Sequence, residues 1–248
     1  SPNEAVRGKT AQLLGLQKDS DEGAERLVEM LSDSDGLVRR FACESLRRLG
    51  VQCDPQKLVP LLESNDRMLV FAARRLLESI SSESWKEPFL QSNSNKLIIQ
   101  SSLALMIADP TPANGQRVIG RITQAMGGFV SDRDFLDMLR TIQVALHRSG
   151  VRTNEMQELR NRMVEEFPAG EPLINRELIR LAVYLQATEI SDRAIAYLQS
   201  DAPMSERVHL AMHLKFLQRK WSSTEMFAIM KFFEEATKSD GGSSYPLY

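Results

Sequence analysis

Apolar and small side chains recur along this chain at helical spacing, and the arrangement returns about every thirty residues. Within residues 36–50, Val38, Ala42 and Leu46 lie about one helical turn apart on a single stripe. Polar turn residues come just before this stripe, as they do before several others. A period of about 20 to 50 residues is typical of stacked helical repeats.

Seven segments carry this pattern, and small residues at several middle positions would let neighbouring helices approach closely. The rows are Val6, Thr10 and Leu14; Val38, Ala42 and Leu46; Leu69, Ala73 and Leu77; Ile98, Ser102 and Met106; Phe135, Leu139 and Ile142; Leu178, Ala182 and Leu185; and Val208, Met212 and Phe216. The repeats are clear over residues 1–108 and looser over 109–240, as insertions in connecting loops would make them.

Partner helices are predicted between these rows. They cover residues 22–31, 55–62, 83–90, 112–126, 154–167, 192–198 and 224–237. Asp54-Pro55 and Thr111-Pro112 are typical helix starts, whereas Ser223 with Met226 offers half of a capping box. No convincing strand appears, because the β-prone segment 97–100 continues at helical spacing. We therefore predict an all-α solenoid of about fourteen helices in seven pairs, a single domain over residues 1–240, and a linker or tail over 241–248.

Composition narrows the classes of function. The 248 residues include 31 Lys and Arg against 33 Asp and Glu, for a net charge of −2. This balance argues against a dedicated nucleic-acid binder. No run of about 18 apolar residues is present, so no membrane span is expected. The chain begins with Ser1, which favours a fragment of a larger protein.

One stretch resembles a known family. The pattern Asp-x-x-Val-Arg-x-x-Ala-x-x-x-Leu-x-x-Leu-Gly resembles the second helix of HEAT repeats, and it stands here as Asp35, Val38, Arg39, Ala42, Leu46, Leu49 and Gly50. Val6-Arg7 and Leu13-Leu14-Gly15 are similar, and the third copy keeps Asp66 and Ala73 but has Leu69-Val70 in place of Val-Arg. The resemblance implies a non-catalytic module for protein interaction or scaffolding.

A second resemblance is narrower. Residues 221–244 are similar to the end of HEAT segments in large exported bacterial proteins, where the segment separates a propeller-like dehydrogenase domain from a c-type cytochrome domain. The matching residues are Trp221, Ser222, Glu225, Phe232, Phe233, Ala236, Gly241, Gly242, Ser243 and Ser244. That family usually has Thr where this chain has Ser222. The resemblance implies a periplasmic or exported parent, and this chain has no Cys-x-x-Cys-His for haem.

Catalytic and metal motifs are weak. Gly8-Lys9-Thr10 lacks the first glycine of a phosphate loop, and Asp33 to Gly36 lacks the further ligands of a calcium loop. His209 and His213 share a helix face, but no third ligand is evident, so half-buried histidines are favoured over zinc. Cys43 and Cys53 are predicted free thiols, with a disulfide open if the parent is exported. We predict no catalytic residue, no metal and no cofactor.

Six arginines are the candidate binding residues, and all of them lie on two successive second helices. They are Arg39, Arg40, Arg47, Arg48, Arg74 and Arg75. Second helices of HEAT stacks line the concave face, so these residues are predicted to form an anion-selective groove for an acidic partner segment, a neighbouring domain or a phosphate backbone. The competing interpretation is a solvated face that pairs with nearby acids. A monomer is expected. The alternatives are a HEAT-like nucleic-acid-binding protein or DNA glycosylase, and a HEAT-like tetrapyrrole lyase.

Overall fold

A computed structural model describes residues 1–17 and 20–238 of the protein. Over these ranges the chain forms fourteen α-helices and four short 3-10 turns, with no strand. The prediction of an all-α solenoid of about fourteen helices is confirmed. The predicted linker over 241–248 lies outside the described residues.

The chain divides into two compact units. The first contains Ser1–Val130 and Val144–Val151, and the second contains Ser131–Gln143 and the residues from Arg152 onward. A single domain over residues 1–240 stays a prediction.

The first unit contains eight helices, and the first helices α2, α4 and α6 are each shorter than the second helix that follows. They are α1 (Glu4–Leu14), α2 (Asp21–Met30), α3 (Gly36–Leu49), α4 (Val59–Leu62), α5 (Arg67–Leu77), α6 (Lys86–Leu90), α7 (Asn95–Ala108) and α8 (Pro112–Ala125). The 3-10 turns Pro55–Leu58 and Ser82–Ser84 precede α4 and α6. The next helix, α9 (Asp132–Arg148), contributes residues to both units.

Two layers make up the first unit. Helices α1, α3, α5 and α7 pack side by side in chain order, while α2, α4 and α6 pack on α3, α5 and α7. A pair of helices cannot bury its apolar stripe alone, and this stacking covers it from the neighbouring pair.

The second helices start at matched capping residues. The side chains of Asn3, Asp35, Asp66 and Ser94 each accept a hydrogen bond from the first turn of the helix that follows. A capping side chain satisfies backbone N–H groups that have no partner within the helix. The repeat seen in the sequence is therefore a repeat of helix starts as well as of apolar stripes.

The remaining helices belong to the second unit. They are α10 (Gln157–Glu166), α11 (Pro172–Tyr184), α12 (Ser191–Leu198), α13 (Met204–Leu214) and α14 (Ser223–Thr237), with 3-10 turns at Thr153–Glu155 and Thr188–Ile190. Helix α10 packs on α11, α11 lies beside α13, and α12 contacts both α13 and α14.

Five of the seven predicted rows are buried. In the rows that begin at Val38, Leu69, Ile98, Phe135 and Leu178, every member is at most 9% exposed. The sequence pattern therefore places the core correctly across most of the chain.

The first and last rows are wrong. On α1, Val6 and Thr10 are exposed, because the helix packs on α3 through the small residues Gly8 and Ala11 instead. On α13, Val208 and Met212 are only half-buried because the buried residues are offset from the predicted row, and Phe216 lies beyond the helix end and is 60% exposed. Each of these helices has an apolar face that no described helix fully covers.

The start of α14 also differs from expectation. The N-cap is Ser222 rather than Ser223, and Glu225 completes a full capping box by accepting from the Ser222 backbone N–H at 2.7 Å. The prediction placed the helix start one residue too late, so Met226 rather than Glu225 was taken as the N3 residue.

Two glycines mark places where helices meet too closely for a side chain. A Cβ on Gly15 would lie 2.4 Å from Ser45 Oγ, and a Cβ on Gly115 would lie 2.1 Å from Ser149 Oγ. Both serine hydroxyls are already held, because each donates to a backbone carbonyl at 2.7–2.8 Å. These serines cannot move aside without losing a buried hydrogen bond.

We expect Gly115→Ala to lower the free energy of unfolding by about 1–3 kcal/mol through overpacking against Ser149. Gly120→Ala lies on the same helix, where a Cβ meets nothing within 4 Å. It should raise stability by about 0.5–1 kcal/mol, because alanine restricts the unfolded chain and favours helix. Urea unfolding of both variants measures the contrast, and equal effects would contradict this packing.

Candidate functional site

The candidate arginines fall mostly on one exposed surface of the first unit. We call it the α3–α5 face, and its residues are Leu37, Arg40, Glu44, Arg47 and Arg48 of α3 together with Met68, Phe71, Arg74, Arg75 and Glu78, on or just after α5. Each is exposed or half-buried, while the opposite sides of both helices form the core. Helices α3 and α5 pack directly against each other.

Glu78 ties the two helices together electrostatically. Arg75 bonds its carboxylate, Arg74 Nε lies 3.5 Å from its Oε1, and the charge of Arg47 from α3 also acts on it. Burial nevertheless raises the pKa of Glu78 above its ordinary value, and burial lowers the pKa of Arg74. Arg74 is held further by a 3.2 Å hydrogen bond from its Nη1 to Gln100 Oε1.

The six arginines therefore differ in their contacts. Arg40 is paired with Glu44 at 2.8 Å, and Arg39 turns aside to donate to the Asp33 carbonyl at 2.9 Å. Arg47 and Arg48 are exposed and form no salt bridge within the described chain. The structure thus leaves five of the six predicted residues exposed or half-buried on two packed helices, with Arg47 and the α5 arginines acting on Glu78, and Arg39 makes a contact to the loop before α3.

An aromatic side chain completes this face, and sequence reasoning missed it. Phe71 is 51% exposed, and the Arg74 guanidinium carbon lies 5.5 Å from its ring centroid. Met68, one turn earlier, is 52% exposed. The available signal was spacing, because both residues fall outside the buried row that contains Leu69 and Ala73.

Arginine elsewhere joins successive repeats. Arg7 donates to both Asp33 carboxylate oxygens at 2.8 and 2.9 Å, and this contact holds the pKa of Asp33 below its ordinary value. Arg121 Nε donates to the Leu90 carbonyl at 2.7 Å, and Arg160 Nε donates to the Leu185 carbonyl at 2.8 Å. These carbonyls lie at helix ends, where backbone acceptors lack intrahelical partners. Such arginines are structural.

The histidine pair of α13 shows no third ligand. The rings of His209 and His213 lie 4.4 Å apart, and His209 Nε2 is buried with no hydrogen-bond partner. Burial, followed by the charge of His213, lowers the pKa of His209. Across residues 1–17 and 20–238, no group of three or more His, Cys, Asp or Glu side chains is placed to hold a metal.

The cysteines are unbonded thiols. Burial raises the pKa of Cys43 and raises the pKa of Cys53 to about 11. A cysteine nucleophile needs a thiolate at working pH, and these environments oppose it.

No helix within the described ranges is long and apolar enough to cross a membrane. A family model for HEAT repeats matches residues 1–78, which contain α1 to α5 and every residue of the α3–α5 face. No curated protein matches the chain. HEAT repeats generally mediate protein interaction or scaffolding and are typically non-catalytic.

We expect stability to fall as the pH drops below about 6.5, the ordinary pKa of histidine. In that range the unfolded chain takes up a proton that folded His209 resists. Burial is the main cause, and the charges of His213, Arg180 and Arg176 add to it, while a backbone hydrogen-bonding contact with Arg176 and the charge of Glu206 oppose it. Thermal unfolding between pH 8 and 5 measures this loss.

The variant His209→Gln should flatten that part of the pH profile. His147→Gln, at an exposed position on α9, serves as the matched control and should leave the slope in place. A slope that persists unchanged in His209→Gln would contradict the assignment.

Proposed function

We propose that the protein is an interaction module that docks an acidic, partly apolar protein segment on its α3–α5 face. The observation that carries the proposal is the exposed Phe71 and Met68 set among arginines. Aromatic side chains, Met and Arg are the residues enriched in protein interfaces and their hot spots.

The charge of the face supports an acidic partner. Five arginines share the surface with only two glutamates, although the whole chain carries a net charge of −2. Glu44 and Glu78 already pair with Arg40, Arg74 and Arg75. This arrangement supports recognition of carboxylates by Arg47 and Arg48, with an apolar side chain of the partner packed on Phe71.

A nucleic acid fits this face less well. Phosphate backbones favour long, unbroken basic stripes, whereas glutamates interrupt this one, and its only aromatic ring is Phe71. No contact on this face favours tetrapyrrole chemistry either.

The docked segment could belong to the same polypeptide. The similarity of residues 221–244 to HEAT segments of exported dehydrogenase–cytochrome proteins supports this form of the proposal, in which the module holds neighbouring domains of a longer chain.

A phage-displayed peptide library tests the proposal. We expect enriched peptides to combine carboxylates with large apolar side chains, and the double variant Arg47→Glu/Arg48→Glu to weaken their binding by about tenfold, or about 1.4 kcal/mol. Phe71→Ala should cost a similar amount, as truncation of a hot-spot side chain does. Titration by fluorescence anisotropy gives the affinities.

The matched control is Arg26→Glu/Lys57→Glu, which reverses two exposed charges elsewhere in the first unit and should leave affinity unchanged. Equal binding by both double variants would overturn the proposal. Displacement of the peptides by random-sequence duplex DNA, with steep salt dependence, would favour the nucleic-acid alternative instead.

A further inference from the structure

Helix α14 of the second unit carries apolar side chains on two faces, and the structure covers one of them. Ala228, Phe232 and Ala236 are buried in the unit. On the other side Met230 is 65% exposed and Phe227 is 70% exposed, and Met226 and Phe233 are also exposed. A helix that is apolar nearly all round is normally buried, and exposed patches of this kind mark interaction sites.

A cleft adjoins this uncovered face. It lies between α13 and α14 and has a volume of about 360 Å³. Met212, Trp221, Met226, Ile229 and Phe233 line it with apolar surface. Two helices therefore form the walls of a groove whose lining continues onto the exposed side of α14.

Among the described residues, the charged side chains around the cleft that form no salt bridge are all positive. Among the described residues that line it, Lys215 is the one charged side chain, and it contacts the Phe216 ring at 5.0 Å from the centroid. Lys215, Lys220 and Lys231 are exposed and form no salt bridge within the described chain.

The acids of α14, by contrast, are already paired. Glu225 pairs with Arg219 at 2.9 Å, Glu234 with Lys238 at 2.7 Å, and Glu235 with Arg207 at 3.0 Å. An occupant of the cleft would therefore meet unpaired positive charge and no unpaired carboxylate from this helix.

We propose that the α13–α14 cleft binds an amphipathic helix of a partner protein, whose apolar ridge fills the cleft and whose flanking carboxylates meet Lys215. A helix laid in an apolar groove is a common mode of peptide recognition. The inference goes beyond the function proposed above, because it uses a different surface on the second unit.

Two other occupants fit less well. A second copy of this chain would bring the same three lysines to the face, and like charges across an interface oppose association. A compact small molecule would fill the cleft but leave Phe227 and Met230 uncovered. A helix of two or more turns, with acidic flanks, covers both the cleft and its apolar border.

Two synthetic helical peptides test the proposal. They share one apolar face and differ in their flanks, which carry glutamate in one peptide and lysine in the other. Trp221 lines the cleft while Trp85 is fully buried elsewhere, so tryptophan emission reports on binding. We expect the acidic peptide to shift the emission and the basic peptide to bind about tenfold more weakly. The shift should be lost in Trp221→Phe.

Charge reversal then locates the contact. Lys215→Glu should weaken binding of the acidic peptide by about threefold to tenfold and strengthen binding of the basic peptide. The expected change is small because a surface charge contact contributes little free energy. Lys57→Glu, an exposed reversal in the first unit, is the matched control and should change neither affinity. Met230→Glu should weaken both peptides, and circular dichroism melting confirms that each variant stays folded.

Several results would overturn the inference. Equal affinity for the two peptides would remove the charge selection. Concentration-dependent dimers in sedimentation that Met230→Glu abolishes would assign the face to a second copy. If Arg47→Glu/Arg48→Glu abolished binding of the acidic peptide and Lys215→Glu did not, the peptide would bind on the α3–α5 face. That result would support the proposed function and overturn the proposal for the α13–α14 cleft.

Discussion

Every helix pair in this chain depends on its neighbours to cover its apolar stripe. The contact that permits this is a close approach between helices, as where Gly8, Ala11 and Gly15 of α1 meet α3. The same solution recurs at Gly115, where a glycine again lies under a serine hydroxyl that bonds a backbone carbonyl. Because the hydroxyl is fixed and interiors are densely packed, the spacing of these helices tolerates little change.

Arginine supplies the second kind of link between repeats. Several arginines donate to helix-end carbonyls or to carboxylates of the adjoining repeat. Much of the positive charge of this near-neutral chain is therefore used in contacts within the protein. A cationic side chain that forms no salt bridge is therefore a better indicator of a binding site than the total number of basic residues. Arg47 and Arg48 on one unit, and Lys215 on the other, are such cations, and each lies beside exposed apolar side chains.

Much of this architecture follows from periodicity. The five rows from Val38 to Leu185 predict the core correctly. Neighbouring helices cover the apolar stripe of each of these helices, so the residues at apolar spacing are also the buried ones. The rows at Val6 and Val208 fail for the converse reason, since spacing reveals which residues are apolar and not which face a neighbour covers. Phe71 escaped notice in the same way, because its spacing places it off the buried row but does not show whether a neighbouring helix covers it. The α13–α14 cleft depends on which sides of these two helices face each other, and spacing alone does not predict that.

The constraint that builds a solenoid also decides where it can bind. A helix with neighbours on both sides buries most of its apolar surface, and α5 leaves only Met68 and Phe71 largely exposed. Helices α1 and α14, by contrast, each show several large apolar side chains that no described helix covers. Uncovered apolar surface alone does not define a site, because any helix that lacks a neighbour shows it. What distinguishes α14 is the combination of a cleft, carboxylates that are all paired, and nearby lysines that form no salt bridge within the described residues. Selectivity comes from that charge pattern, since apolar contact supplies affinity without choosing among amphipathic partners.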